Sequence, residues 1–578
     1  MEKRLLLVFA LTFIVILISQ PLLKKYFPQP PATPQKQTLN LQPDGGTANI
    51  AAPVSGLVSG VALKQAASES ETVVENNFYR ITFTNRGAQV KSWILKKFDD
   101  DSGHPLELVN TVASEKYGYP LSLWTYDAAQ RVRLQSVLYA PSATGALTAP
   151  AELTFEYADQ DLVVRKTFRF DSSYVIGIDT TVVSKGSAIS AYPMWPAGFG
   201  DQTTPGAHGA QKAIGRTSSY FSQITYQNND KIERLDIKKI SGGATLQAPF
   251  NWAAVNDQYF AAVFLPTDTH NTAAVTLRNP LEVPKDAQNM NSGTANVDVL
   301  GIAVGDPRGT TVQHLYVGPK ALDSVESIAV PSIVGASPDL RGLVNFGFFG
   351  PIARPLFLWL RWTYEHIISN WGWAICIQTL IINLVLLPLR ISSMKSALKM
   401  QRIQPQMNSI KDKYKKYAVR DPRRQEMNVE IGALMKKEGV SPVGGCLPLV
   451  IQMPFLFAYY SMLGAALDLR HAPWLWIHDL SSADPWHILP IGIIITMLFT
   501  QRMTPQAGMD PSQQKMMNLI MPVMLGVISW NLAAGLCLYW SEGNLIALAQ
   551  QSIMNRTSLG REMREMALKR ARKQESKK

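Results

Sequence analysis

Apolar positions along this chain follow two different rules on either side of about residue 335. From Phe78 they alternate: Ile81 and Phe83 are interleaved with Arg80, Thr82 and Thr84 before an Asn85-Arg86-Gly87 turn. Val164, Lys166, Phe168 and Phe170 share one alternating face, Asp171-Ser172-Ser173 makes a turn, and Tyr174, Ile176, Ile178, Thr180 and Val182 share the next. Period two with Gly, Pro, Asn and Asp punctuation predicts antiparallel hairpins. Their repetition predicts one large β-sandwich over residues 77–335. Beyond it the apolar positions run together. Ile367–Leu389 and Gly439–Leu467 contain no charged residue, and about 20 such residues cross the roughly 30 Å hydrocarbon core of a bilayer.

The uncharged runs predict spans at Ile367–Leu389, Cys446–Leu467 and Trp486–Gln501. Met516–Asn555 carries only Glu542 as a charge. As one straight helix it would be about 60 Å long, twice a membrane, so the chain must turn, and Asn531–Gly535 is the place for it. At the other end, two cations in Met1–Arg4 precede the apolar Leu5–Ile18, and Lys24-Lys25-Tyr26-Phe27-Pro28 offers no small-residue cleavage site. Residues 1–23 therefore predict an uncleaved anchor. That makes six spans with both termini on the same side.

Between these elements lie three others. Residues 24–76 hold Pro28, Pro30, Pro31, Pro34, Pro43 and Pro53 among small polar residues and predict a disordered tether. Residues 351–368 mix Leu356, Phe357, Trp359, Leu360 and Trp362 with Arg354, Arg361, Glu365 and His366, which predicts an amphipathic helix at the headgroup level. Residues 390–438 predict a helical hairpin broken at Arg420-Asp421-Pro422.

Charge assigns the sides. The chain has 56 Lys and Arg against 44 Asp and Glu. This excess sits in two places, 13 basic against 5 acidic residues over 390–438 and 9 against 3 over the tail 556–578. Basic loops beside spans mark the cytoplasmic face, which argues against DNA as the partner. The loop 468–484, with Arg470 against Asp468, Asp479 and Asp484, suits the opposite face. Cys376, Cys446 and Cys537 all lie in the apolar half without C-x-x-C spacing, so neither a disulfide framework nor a metal site is predicted. The β region has no H-E-x-x-H, no G-x-S-x-G and no cysteine cluster; no phosphate-binding loop occurs, and no cofactor is implied.

The spans hold more polar residues than a packed bundle needs: Gln378, Thr379 and Asn383, then Gln452, Tyr459, Tyr460 and Ser461, then Thr496, then Tyr539, Ser541, Glu542 and Asn544. Singly, each reads as an interhelical hydrogen bond. Together, with Glu542 costing about 3 kcal/mol or more if it faced lipid, they predict a polar cavity. A transporter with Glu542 as its ion site, a channel and an insertase all fit such a cavity. No second half repeats the first, as paired transporter repeats would.

Two motifs carry a resemblance. Gly444-Gly445-Cys446-Leu447-Pro448-Leu449 with Ile451-Gln452-Met453-Pro454-Phe455-Leu456, followed by the loop Trp476-Ile477-His478-Asp479-Leu480, resembles the YidC family of membrane protein insertases, strongly over 370–555 and weakly over 28–335. The resemblance implies a multi-domain membrane protein: a periplasmic antiparallel β-sandwich plus an α-helical transmembrane bundle, six spans in all, with a cytoplasmic helical hairpin and a basic cytoplasmic tail. It implies insertion and folding of nascent membrane proteins in the bacterial inner membrane, alone or with the Sec translocon, and ribosome contact through the hairpin and tail. The groove it implies is lined by Gln378, Asn383, Arg390, Gln452, Tyr539, Trp540 and Glu542, with an apolar substrate slide at Met453, Pro454, Phe455 and Pro522. Family members usually carry an arginine where this chain has Asn383, and an apolar residue where it has Glu542. Arg390, seven residues on, lies on nearly the same helical face.

Overall fold

Alternation builds the first region as predicted. Strand Leu162–Phe170 pairs antiparallel with Val175–Ser184, in register from Phe170 opposite Ile176 to Leu162 opposite Ser184. Asp171 shapes the turn, its Oδ1 accepting from the Ser173 N–H at 2.8 Å. This hairpin sits inside a ten-stranded sheet, and two five-stranded sheets complete the region. One core cluster draws on all three, with Trp93, Phe155, Phe168, Trp195, Phe264 and Ile302 buried together; each large apolar side chain removed from water contributes about 2 to 3 kcal/mol. This computed structural model describes residues 63–100, 102–200, 222–228, 231–326 (apart from 236, 238–239 and 287–288), 328, 339–417, 421–439, 447–503, 516–558, 561 and 565. The predicted anchor 1–23, the tether as far as 62, Cys446 and most of the tail 556–578 lie outside the described residues.

Two corrections concern the β region. Strand Glu71–Glu75 lies within the predicted tether, so folded structure starts earlier than residue 77. Its alternation is only five residues long, and its partners complete it: Tyr79–Thr84 on one side and Gly145–Thr148 on the other. The second pairing is parallel, with Thr72 opposite Gly145, so the sandwich is not wholly antiparallel. Nor is the inward face of Leu162–Phe170 wholly apolar. Lys166 is fully buried, and its Nζ donates to the carbonyls of Leu121 at 2.6 Å, Gly87 at 3.4 Å and Ala88. Burial pushes this ammonium down to about 7.

Helices in chain order are α1 Thr111–Tyr117, α2 Ala128–Ser136, α3 Leu322–Glu326, α4 Gly350–His366, α5 Trp371–Val385, α6 Leu387–Lys413, α7 Arg423–Lys437, α8 Leu447–Ala465, α9 Ile488–Met503, α10 Met521–Ser529 and α11 Ala534–Arg556. Helix α4 matches the predicted amphipathic segment, burying Ala353, Leu356, Phe357 and Leu360 and leaving Leu358 and Trp362 outside. The predicted second span is broken. Its helix stops at Leu386 and resumes as α6 at a bend of 47°, because Pro388 has no N–H to continue the ladder. The first arm of the hairpin therefore starts at Leu387 rather than Arg390. Its two arms pack through Met400, Ile403 and Met407 of α6 against Ile431, Leu434 and Met435 of α7. The predicted turn at Asn531–Gly535 overlaps the break between α10 and α11, which covers residues 530–533; Ala534 and Gly535 already belong to α11.

Among the described residues no single helix is long and apolar enough to cross a membrane on its own; the bent pair Trp371–Val385 with Leu387–Ser393 is, by length and composition. Helix α4 packs on α5 and α8, α11 packs on α5, α8 and α9, and α10 packs on α9. Helices α8 and α10 are not among the closely packed pairs of described elements. The packing order is therefore α8, α11, α9, α10, an arc with α8 and α10 at its two ends.

Candidate functional site

Most polar residues of the uncharged segments lie on α5, α8 and α11, with Thr496 on α9. Gln378 is fully buried and joins three helices: its Nε2 donates to the Leu356 carbonyl of α4 at 2.9 Å, and its Oε1 accepts from the Tyr459 hydroxyl of α8. Tyr459 stacks on Tyr539 of α11, ring centroids 3.9 Å apart. Placed this way, Gln378 is a clamp between helices rather than an open groove surface. Thr379 and Thr496 return their hydroxyls to the carbonyls four residues back, at 2.7 Å each, which satisfies them inside their own helices.

One turn further along α5 the arrangement changes. Asn383 Nδ2 donates to Thr379 O at 2.9 Å, while its Oδ1 accepts from Arg390 Nη2 at 3.3 Å across the α5–α6 bend. Arg390 Nη1 donates to Gln550 Oε1 at 2.9 Å, and Gln550 Nε2 reaches back to Asn383 O at 3.4 Å. The half-buried guanidinium thus lies where α5, α6 and α11 meet. Gln550 was missed in the sequence; its signal was position, seven residues after Gly543, whose missing Cβ would sit 3.9 Å from Asn383 Nδ2.

Between clamp and guanidinium lies incompletely paired polar surface. Gln452 of α8 stands beside the Tyr539 hydroxyl without a hydrogen bond of ordinary geometry. Glu542 faces Cys376, yet its Oε2 has no partner among the described residues, and neither has Asn544 Nδ2. Trp540 is half-buried and packs on the core of the helical region. The predicted slide is divided. Met453 is exposed, Pro454 and Phe455 are half-buried, and Pro522 is buried. Apolar side chains that do reach the surface beside the arc's two ends are Met453 and Phe457 on α8 and Val523 and Met524 on α10.

The loop 468–484 closes one end of the helices. Asp484, 1% exposed, accepts from the Trp476 indole N–H at 3.0 Å and from the backbone N–H groups of Trp486 at 3.1 Å and Leu489 at 2.7 Å, so it caps α9 from inside. Asp479 accepts from the His471 and Ser481 N–H groups at 2.9 and 2.8 Å. Leu480 O and Ser482 O receive the Gly535 and Ala534 N–H groups at 2.9 and 2.6 Å, and Asn370 Nδ2 donates to Pro473 O at 3.1 Å. The loop therefore holds the starts of α5, α9 and α11 together. Asp479 and Asp484, read in the sequence with Asp468 as a mark of sidedness, also pin the loop from inside.

Residues 362–561 match the family model described as 60Kd inner membrane protein, and residues 71–359 match that of the YidC periplasmic domain. The chain is similar to the membrane protein insertase YidC of Cupriavidus necator, 32% identical over 550 residues covering 93% of each chain. It is also similar to that of Geobacter sulfurreducens, 32% identical over 487 residues covering 83% of this chain and 85% of the other. Among solved structures, an active YidC insertase with its first transmembrane segment resolved aligns with 86% of this chain and 95% of its own, at 18% identity and a TM-score of 0.33.

Proposed function

We propose, from the premise that this chain belongs to the YidC family of membrane protein insertases, that it inserts nascent membrane proteins through a hydrated groove bounded by α5, α8 and α11 and open between α8 and α10. The family makes it a bacterial inner membrane protein with a periplasmic domain, an insertase acting on membrane proteins in the bilayer. Relatives named membrane protein insertase match 93% and 83% of the chain, which favours insertion over a transporter built on Glu542.

The observation that carries the groove is a pair of unpaired polar atoms one helical turn apart on α11: Tyr539 Oη and Glu542 Oε2 are buried without hydrogen-bond partners among the described residues. In hydrocarbon each would cost several kcal/mol, whereas water admitted between α5, α8 and α11 would satisfy both. Such a groove lowers a barrier without supplying energy. A 20-residue apolar helix enters lipid downhill, at roughly 0.3 to 0.6 kcal/mol per strong apolar residue. Its charged tail is the obstacle, at about 3 kcal/mol or more per charge at the bilayer centre. Gln452, Tyr539, Glu542 and Arg390 let that tail travel hydrated, while Met453, Phe457, Val523 and Met524 meet the apolar helix at the opening.

In this reading the six crossings stand as the charge pattern predicts, with α6, α7 and the tail 556–578 in the cytoplasm and the loop 468–484 in the periplasm. The basic hairpin and tail receive the ribosome, and larger substrates arrive through the Sec translocon. The test is reconstitution of the purified full chain in liposomes, scoring insertion of a short single-span substrate, together with a Glu542→Cys variant. A thiol at 542 that aqueous reagents reach from the cytoplasmic side is the expected result; one as unreactive as a lipid-facing position removes the groove.

A further inference from the structure

Strands Trp252–Asn256 and Phe260–Pro266 are joined by a tight turn through Asp257, Gln258 and Tyr259. Asp257 is buried and shapes the turn: its Oδ1 accepts from the Tyr259 and Phe260 N–H groups at 2.7 and 2.6 Å, and Lys320 Nζ donates to its carbonyl at 2.7 Å. What this turn carries outward does not point into solvent. Gln258 Nε2 donates at 2.9 Å to the carbonyl of Gly464, in the last turn of α8. Tyr259 is buried beside Ser481 and Asp479. The Arg470 guanidinium lies 5.8 Å from the ring centroids of both Tyr259 and Phe260, within range of a cation–π attraction. Leu467, at the start of the loop, is buried in the core cluster of the β region itself.

The segment gripped in this way is the one that ties the starts of α5, α9 and α11. Two facts therefore meet in one loop: it closes the end of the bundle away from the basic hairpin, and its seat is built by the β domain. A closed end poses a problem for a hydrated groove, because a hydrophilic tail that has travelled through it must still leave.

We propose that the Asp257–Phe260 turn is a latch: the β domain holds the 468–484 loop seated over the end of the bundle, and displacing the domain unseats the loop and lets the tail out. Gln258, Tyr259 and Arg470 are its positioning residues. The latch rests on the groove reading above, since without a groove the loop has nothing to close.

Cys537 is a native reporter. It is fully buried in α11, two residues beyond Gly535, with its Sγ 3.4 Å from Ser529 O. In right-side-out membrane vesicles carrying the full chain, a bulky membrane-impermeant maleimide added outside should leave Cys537 unlabelled, as read by peptide mapping. The Gln258→Ala, Arg470→Ala double variant should raise labelling at Cys537 about tenfold, equivalent to about 1.4 kcal/mol of loop opening. Gln258→Ala with Arg470→Lys, which keeps a cation over the two rings, should restore most of the protection. Unchanged protection in the double variant overturns the latch. So does labelling of the unaltered protein, or labelling that appears only together with loss of the β domain's own thermal transition. The groove is decided separately by insertion in liposomes, which reads substrate and not Cys537.

Discussion

The β region and the helical region obey one rule in two solvents. In the first, large apolar side chains such as Trp93 and Phe168 are buried and the exposed faces are polar. In the second, Gln378, Thr379, Asn383, Ser529 and Ser541 are buried while Leu380, Leu384, Val385, Val527 and Ile553 are exposed. Each region hides what its surroundings solvate poorly, and for helices in lipid that is the polar side chain. Substituting matched exposed apolar positions breaks the symmetry most strongly. Leu380 on α5 and Val132 on α2 are 45% and 66% exposed. Leu380→Asp should cost about 3 kcal/mol or more, read as loss of folded protein from the membrane, while Val132→Asp should stay within about 0.5 kcal/mol. Equal, small effects at both positions would mean that α5 does not face lipid.

A second comparison uses helix caps. Asp484 caps α9 from a buried site with three donors, whereas Asp127 caps α2 from the surface, accepting from Ala129 N–H at 2.8 Å and Gln130 N–H at 3.3 Å. Asp484→Ala strands a buried indole N–H as well as backbone donors and should cost about 2 kcal/mol. Asp127→Ala should cost about 1 kcal/mol or less. Thermal unfolding of the two variants, compared with the unaltered chain, separates them.

These contrasts were partly legible in the sequence. Periodicity located the strand pairs around Asp171, and helix length against membrane thickness placed a turn near Asn531–Gly535, because both follow from local sequence. It also found the polar residues of the uncharged segments as a group. It did not find which of them are satisfied by neighbours: Gln378 became a clamp because Leu356 and Tyr459, distant in sequence, come to meet it. Strand Glu71–Glu75 escaped for the same reason, since its parallel partner lies some seventy residues on. The break at Leu386 was foreseeable from Pro388, and the Arg390–Asn383 approach from their spacing; Gln550, which completes that site, had no motif to announce it.

The β region breaks its own rule at Lys166, and pH tests it. Lys166 is buried where an apolar residue would serve, with its ammonium pushed down to about 7. An unfolded chain holds that proton up to a pH of about 10. Between these values the unfolded state binds more protons, so folding stability should rise with pH, by at most about 1.4 kcal/mol per unit, and be flat below about 7. Thermal unfolding of the β domain's transition in the full chain, followed from pH 6 to 10, should show this slope in the unaltered protein. The slope should be clearly reduced in Lys166→Met, leaving the smaller contribution of Lys320, whose ammonium burial pushes down to about 8.

The helical region's counterpart to Lys166 is Arg390, a half-buried cation paid out to amide oxygens of Asn383 and Gln550 rather than to a carboxylate. In the groove proposed above, that arrangement would leave the guanidinium with no competing carboxylate as an acidic tail passes, and Glu542 would stand against the same tail. The two side chains would then set the preference between them. Arg390→Gln should lower insertion of an acidic-tailed substrate relative to a neutral-tailed one about fivefold, close to 1 kcal/mol for a hydrated charge pair, and Glu542→Gln should move the ratio the other way. Because Asn383 is buried at 1% exposure, Asn383→Arg has little room and should disturb packing before it changes selectivity. An insertion ratio that stays fixed in both the Arg390→Gln and Glu542→Gln variants would mean that the tail never comes within about 10 Å, one Debye length at 0.1 M salt, of either charge.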